Sequence, residues 1–486
     1  MNYDKNILER IDSRFHCYRC IDEEINYVCA KDLIHPKRLD IPVKIKYLEA
    51  VLAGNESEIN RNRKYYKDTI QYFTDALYKE PGDSFKKSFL DFEKYFITLF
   101  NEIKENGFDV KKSIIPLSKD GMVLDGAHRV SIAYLLGLKI PTIKLNVESP
   151  TYDYSFYKRK GASREELLNF VRCYLSCDCS SRVAILWPYN SLSIDSVKRK
   201  YTDRVIYSDC FTLDSNGVRN LCLLAYKNEK WIGDVDNSWS GIKNKADACF
   251  VNNKETHFLF YKSLGGEDDI DLKNEIRALS DGSKNNIHTT DDIFETGKLS
   301  EFLLYSHGGV LLNNIELKVL SKIILVLQKN SISIDDVIVT GSSLMSLLGL
   351  RDANDIDLLH DENITITDTP EIGSHNKYAD LYKINTKDIL KKEDFFIDVF
   401  GVKFIRPEKL IDFKKNRGEE KDFVDIEKII EAFDGNVKRK KMKNLRVSLN
   451  RVIRIYYFRY REFIVDFLRR NNILPLVKKI LKRLNG

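Results

Sequence analysis

The sequence predicts a multidomain protein that joins α/β and α+β units, and three observations carry that prediction. At 486 residues the chain has room for two to four domains of about 100–200 residues each. Its 43% hydrophobic and 31% charged residues, with 25 Tyr and 26 Phe, are the composition of a folded chain rather than a disordered one. Two stretches, 113–145 and 337–360, each combine short apolar runs, a glycine turn and a helical segment in the order of a strand–helix–strand unit. The divisions that follow are a domain at 1–150, a connector at 151–181, a central α/β domain at 182–311, a further domain at 312–436 and a basic helical tail at 437–486.

In the first 150 residues, Cys17-Tyr-Arg-Cys20 has the spacing of a metal or redox pair, but no second pair or histidine follows at finger spacing, so coincidence is the expectation. The charge-dense run from Lys37 to Lys44 reads as a solvated surface. Residues 65–78 and 85–103 have the apolar period of amphipathic helices whose aromatics face a core. The informative stretch is 113–145. It reads strand, Asp-Gly turn, strand, then Asp125-Gly126-Ala127-His128-Arg129 opening a helix that Gly137 closes, then a strand. A helix start with a glycine and a flanking arginine suits an anion. This stretch resembles the ParB/sulfiredoxin-like superfamily, and within it the sulfiredoxins and the free-serine kinases. The resemblance implies that Asp125, Gly126, His128 and Arg129 hold the phosphates of ATP or CTP. Ala127 stands where sulfiredoxins carry a cysteine, which disfavours sulfinic-acid repair, and no helix-turn-helix follows as in the DNA-partitioning members. A phosphotransferase, or a nucleotide-binding module without chemistry, is left. By the kinase resemblance an N-terminal carboxylate serves as general base, and Asp40 is the candidate.

The connector 151–181 carries one expected helix at 163–173, and Cys173, Cys177 and Cys179 read as incidental. From 181 onward, strands are expected at 183–187, 204–207 and 257–261 and helices at 194–200 and 218–226. Near its end, Thr290 or Asp291 with Glu295 has the spacing of a helix cap, while His288 beside those acids is also compatible with a site for a phosphorylated ligand.

In the 312–436 domain, an apolar strand at 337–339 runs into Gly341-Ser342-Ser343, a helix follows at 344–350, and a second strand carries Asp355 and Asp357 at i, i+2, on one face. Backbone N–H groups and a hydroxyl suit phosphates, and hard carboxylate oxygens suit Mg2+. The pattern resembles the polymerase-β-like nucleotidyltransferase superfamily over residues 312–435. By that resemblance Asp355 and Asp357 hold Mg2+ on a triphosphate, Gly341 and Ser342 grip its phosphates, and Asp398, the lone acid of the apolar run 395–400, is the third metal ligand or proton acceptor. Lys414 and Lys421 are candidate phosphate contacts.

The tail from 437 to 486 holds sixteen Lys/Arg against two acids, a net +14 that leaves −8 on the rest of a chain totalling +6. Its apolar positions recur at three and four. Such helices lie on anionic membrane surfaces, bind nucleic acid, or pack on the protein with their charges solvated. The N-terminus lacks the apolar core of a signal peptide, no run is long enough to span a bilayer, and nine cysteines without a leader read as reduced thiols, so the expected compartment is cytoplasmic, with peripheral attachment to the inner membrane face. Together the two resemblances imply a bifunctional enzyme: a small-molecule kinase and a nucleotidyltransferase that make a nucleotide-activated polyol or sugar, from an alcohol, polyol or sugar phosphate, for a bacterial surface glycan. The alternatives are a nucleotidyltransferase that modifies RNA or protein in a toxin or defence system, and a non-catalytic nucleotide-binding scaffold.

Overall fold

The computed structural model describes residues 9–79, 86–188, 194–252, 254–278, 285–387, 389–391 and 394–434, together with residue 7 and scattered positions between 460 and 473. It is a mixed α/β protein with three sheets among the described residues. Two compact units divide it, one built on Met1–Cys179 and the other on Ser180–Val437.

In the first unit β1 (Asn26–Cys29), β2 (Ile115–Leu117) and β3 (Lys139–Lys144) form a sheet in the order β1-β3-β2, with β3 antiparallel to β1 and parallel to β2. The parallel pair requires a crossover, and the helix Ala127–Leu135 supplies it, as the 113–145 pattern predicts. The amphipathic helices are Glu56–Phe73 and Phe89–Asn106, and Tyr66, Phe92 and Phe96 from them are fully buried. Ser88 and Asp91 close a capping box at the start of the second. The stretch expected to be a connector is part of this unit. Its helices Tyr154–Arg159 and Arg164–Cys177 bury Tyr157 and Phe170, and Tyr72 donates its hydroxyl to Glu166 at 3.0 Å.

The second unit holds two sheets. The four-stranded one is antiparallel throughout, in the order β5-β6-β4-β7, from β4 (Ser181–Leu186), β5 (Val205–Thr212), β6 (Glu255–Lys262) and β7 (Ile287–Thr289). The five-stranded one, from β8 (Val337–Thr340), β9 (Ile356–His360), β10 (Ile372–Ser374), β11 (Phe396–Val399) and β12 (Val402–Ile405), has the order β10-β9-β8-β12-β11. The predicted division between 311 and 312 falls inside the helix Gly308–Asn314. That helix is tied to Ser215–Tyr226 by Asn220, whose amide donates to the carbonyls of Leu312 (2.7 Å) and Ile315 (2.9 Å). A fully buried asparagine that joins the middle of one helix to the C-terminal end of another is a joint within one core.

No helix among the described residues is long and apolar enough to cross a membrane. Most of the predicted tail lies outside the described residues.

Candidate functional site

The strand β8 is buried along its length and ends at Thr340, where the chain turns through Gly341 at φ +62° into the helix Gly341–Leu347. β9 runs antiparallel to β8 with Asp357 opposite Thr340. This register brings the Asp357 carboxylate onto Gly341: a Cβ there would sit 2.0 Å from Asp357 Oδ2. On the other side β10 pairs with β9 so that Gly373 lies opposite Asp357. Between these two glycines, His375 holds Asp357 Oδ1 through Nε2 at 3.1 Å. Its Nδ1 is 2.9 Å from the Tyr382 hydroxyl, which is itself 2.9 Å from Thr340 Oγ1. His375, Tyr382 and Thr340 are all buried, and burial pushes the Tyr382 phenol well above its ordinary value, so it stays a neutral hydrogen-bond partner. Asp355 is exposed one residue before β9, and its carbonyl accepts from the buried Ser343 hydroxyl at 3.0 Å. Ser342, the second residue of the helix, is half-buried. Gly341, Ser342, Asp355 and Asp357 therefore come together.

Asp398 does not join them. It lies on β11, three interstrand steps from β9 across β8 and β12, or about 14 Å. Its carboxylate accepts the Gly401 N–H at 2.5 Å and so closes the β11–β12 turn, and its own N–H donates to Glu301 at 3.1 Å. An apolar strand with one acid is as good a description of a hairpin end as of a metal strand, and the sequence does not tell them apart. Lys414 is also no phosphate contact here. It is 2% exposed, and its Nζ lies 3.2 Å from Asp422 and 2.6 Å from Asp425. Arg417 forks onto Asp422 at 2.9 and 2.6 Å, and Arg351 reaches Asp425 at 3.1 Å. Burial alone would raise the Asp422 carboxyl, but Arg417 and Lys414 outweigh it and hold it below the carboxylate range. This network ties the loop before Asp355 to the helices Pro407–Arg417 and Glu420–Asp434. Lys421 is exposed and pairs with Glu419 at 2.9 Å.

In the other unit, Gly126 at φ +87° opens the helix Ala127–Leu135, and a Cβ there would meet Ile115 Cδ1 at 2.6 Å and Arg129 Nη2 at 3.0 Å. Arg129 pairs with Asp125 at 2.9 Å, and Arg14 reaches the same carboxylate at 3.5 Å. His128 Nε2 meets the Tyr66 hydroxyl at 2.8 Å, and burial with the Lys44 and Lys86 charges holds the imidazole well below its ordinary value, hence neutral. Asp40 is not poised as a base. It is 1% exposed, and Arg38 (2.9 and 3.0 Å) and Lys44 (3.0 Å) take both its oxygens. Burial would raise its carboxyl, but those two cations hold it far below the usual range, so it is a fixed anion near pH 7. The Lys37–Lys44 run is thus no solvated surface. Arg38 also donates to the Val123 carbonyl, which ties this anion to the segment leading into Asp125; that segment, expected as a second strand, forms only a single bridge between Val123 and Leu117.

The helix cap near 290 is real but one residue on: Asp292 accepts the Glu295 N–H at 2.8 Å, and Glu295 accepts from Asp291 N–H at 2.8 Å and pairs with His288 at 2.9 Å. None of the nine cysteines forms a disulfide. Sequence reasoning missed His375, Tyr382 and Ser343. Only Ser343 had a signal, its place in the Gly-Ser-Ser turn.

Comparison of the chain with family models, curated proteins and solved structures gives no match.

Proposed function

We propose that residues 312–436 of the Ser180–Val437 unit are a Mg2+-dependent nucleotidyltransferase of the polymerase-β-like kind, and that residues 1–150 are a ParB/sulfiredoxin-like module that binds ATP or CTP. The observation that carries the first half is the Asp357 carboxylate held between Gly341 and Gly373 by His375, with Asp355 two residues before it. Two carboxylates are a sufficient protein share for Mg2+, which takes its other ligands from phosphates and water. When bound, the ion screens the charge of the triphosphate and of its leaving group. The residues do the rest. His375 fixes the rotamer of Asp357, Ser343 fixes the backbone at Asp355, and the side-chain-free Gly341 lets the carboxylate and an incoming phosphate approach the start of the helix.

In the N-terminal module the five cations Arg14, Arg38, Lys44, Lys86 and Arg129 outnumber the three acids Asp12, Asp40 and Asp125 around one helix start, which supports a phosphate ligand. Asp40, sealed in its ion pairs, acts there as framework. The pairing of the two modules supports a two-step route: phosphorylation of an alcohol, polyol or sugar, then its conversion into a nucleotide-activated donor for surface-glycan synthesis. At the described positions of the tail, Tyr460, Phe463 and Phe467 are exposed at helical spacing beside many basic residues, which supports an anionic membrane surface as partner.

The test is full-length protein with Mg2+, labelled ATP or CTP, and a panel of polyols and sugar phosphates, read by mass spectrometry. A nucleotide-linked product that disappears in Asp355→Asn and Asp357→Asn supports the reading. Transfer to RNA or protein instead moves it to the toxin or defence class. Nucleotide binding and turnover unchanged in both variants overturn it.

A further inference from the structure

The edge of the four-stranded sheet carries a cluster unrelated to the carboxylate pair. Cys210 on the edge strand β5 lies directly opposite His257 on β6, and antiparallel partners project to the same face. Glu255 precedes His257 by two residues on β6 and so shares that face. A ligand atom from each (the Cys210 thiol sulfur, a His257 ring nitrogen and a Glu255 carboxylate oxygen) lies within 4.8 Å of the other two, and His257 Nε2 is 3.9 Å from Glu255 Oε2.

From this geometry we infer a second metal site, for a Zn2+-class ion, formed by Cys210, His257 and Glu255. Around a tetrahedral zinc, bonds of about 2.0–2.3 Å set ligand atoms roughly 3.3–3.6 Å apart, so closure needs shifts of about 1 Å at the ends of three side chains. The donor set decides the metal. A thiolate and an imidazole select Zn2+ and its transition-metal neighbours over Mg2+, which the all-oxygen pair Asp355/Asp357 suits. Among the charges near His257, the carboxylates of Asp195 and Asp209 favour a cation and the Lys198 ammonium opposes it. The Cys210 backbone is fixed by its N–H bond to Asp209 Oδ1 at 3.0 Å. Three protein ligands leave the fourth position for water or a substrate group, which is the pattern of reactive rather than purely structural zinc. On binding, the Cys210 thiol releases its proton to solvent and the ion takes the thiolate.

The test uses full-length protein stripped with a chelator and titrated with Co2+ alone. One equivalent is expected to give visible bands of a four-coordinate ion and a near-ultraviolet thiolate-to-cobalt charge-transfer band, both removed by Zn2+. Cys210→Ser removes the charge-transfer band, Cys179→Ser leaves it, and Glu255→Gln keeps it. His257→Gln weakens binding by at least about 100-fold, the upper end of what loss of an outer-sphere partner costs. Circular dichroism checks that each variant is folded, and Cys210→Ala stands in for Cys210→Ser if that variant is not. No thiolate band in the parent, or an undiminished band in folded Cys210→Ser, overturns the site.

Discussion

Gly341→Ala is the substitution for which the structure fixes the outcome most closely. Two costs arise. The backbone at φ +62° is left-handed, and an L-residue there costs about 1–2 kcal/mol. The new Cβ would also lie 2.0 Å from Asp357 Oδ2, 2.9 Å from its Cγ and 3.1 Å from its Cβ, so a contact of 3.4 Å requires the carboxylate end to move by about 1.4 Å. That movement breaks the 3.1 Å bond to His375, which adds about 1–2 kcal/mol. The expected loss of unfolding free energy is thus about 2–4 kcal/mol, and under the proposed nucleotidyltransferase reading a displacement of Asp357 by more than 1 Å lowers turnover by about 100-fold. A double-mutant cycle separates the two costs. In the Asp357→Ala background only the 3.1 Å contact with the remaining Cβ is left, a matter of a few tenths of an ångström, so Gly341→Ala costs little more than the conformational part, about 1–2 kcal/mol. Urea unfolding followed by tryptophan fluorescence gives all four corners. If Gly341→Ala costs the same in both backgrounds, the carboxylate does not pack on the glycine and the site as described is wrong.

The other predictions bear on the remaining parts of the site. His375→Asn keeps the fold but frees the Asp357 rotamer, so Mg2+-nucleotide affinity by calorimetry falls about 10–100-fold, and His375→Gln recovers part of it. Asp398→Asn leaves that affinity within about twofold, since its carboxylate serves a turn about 14 Å away; a loss as large as that of Asp357→Asn would restore it as a third ligand. Lys414→Met leaves the buried Asp422 and Asp425 with one arginine each, Arg417 and Arg351, and costs about 2–3 kcal/mol in urea unfolding, whereas Lys421→Met at the exposed pair changes stability by under about 0.5 kcal/mol. Acid sensitivity follows from His128. Its folded-state pKa is depressed from 6.5, so the unfolded chain takes up a proton first, and stability contributed by the neutral ring above that pH is lost as pH falls below it. The urea midpoint is therefore expected to fall below pH 6.5 in the parent and less steeply in His128→Asn.

The sequence made visible what depends on local spacing and hid what depends on partners far along the chain. The strand–helix–strand units at 113–145 and 337–360 were legible because apolar period and a glycine turn are written in consecutive residues. So was the meeting of Gly341 with Asp357, since a strand, a short helix and an antiparallel return bring the two ends back together. Burial of charge was not legible. Lys37–Lys44 looks like a hydrated run because its composition is hydrated, yet Arg38 and Lys44 share the single carboxylate of Asp40 inside the core. Lys414 looks like an exposed helix lysine because its partners Asp422 and Asp425 come from the next helix.

Strand order was the other hidden quantity, and it changes the chemistry. Asp355, Asp357 and Asp398 stand in the right sequence order for three metal ligands, but order along the chain leaves open which strand lies beside which. With β8 and β12 between β9 and β11, the third acid goes to a turn, and the neighbour that β9 does receive is β10, which delivers Gly373 opposite Asp357 and His375 onto its carboxylate. A carboxylate backed by an imidazole is held in one orientation, so part of the entropy of ordering a metal ligand is already spent before any ligand arrives. In this site the fold offers two acids, one of them fixed, where the sequence pattern suggested three, and His375 is the residue on which that arrangement turns.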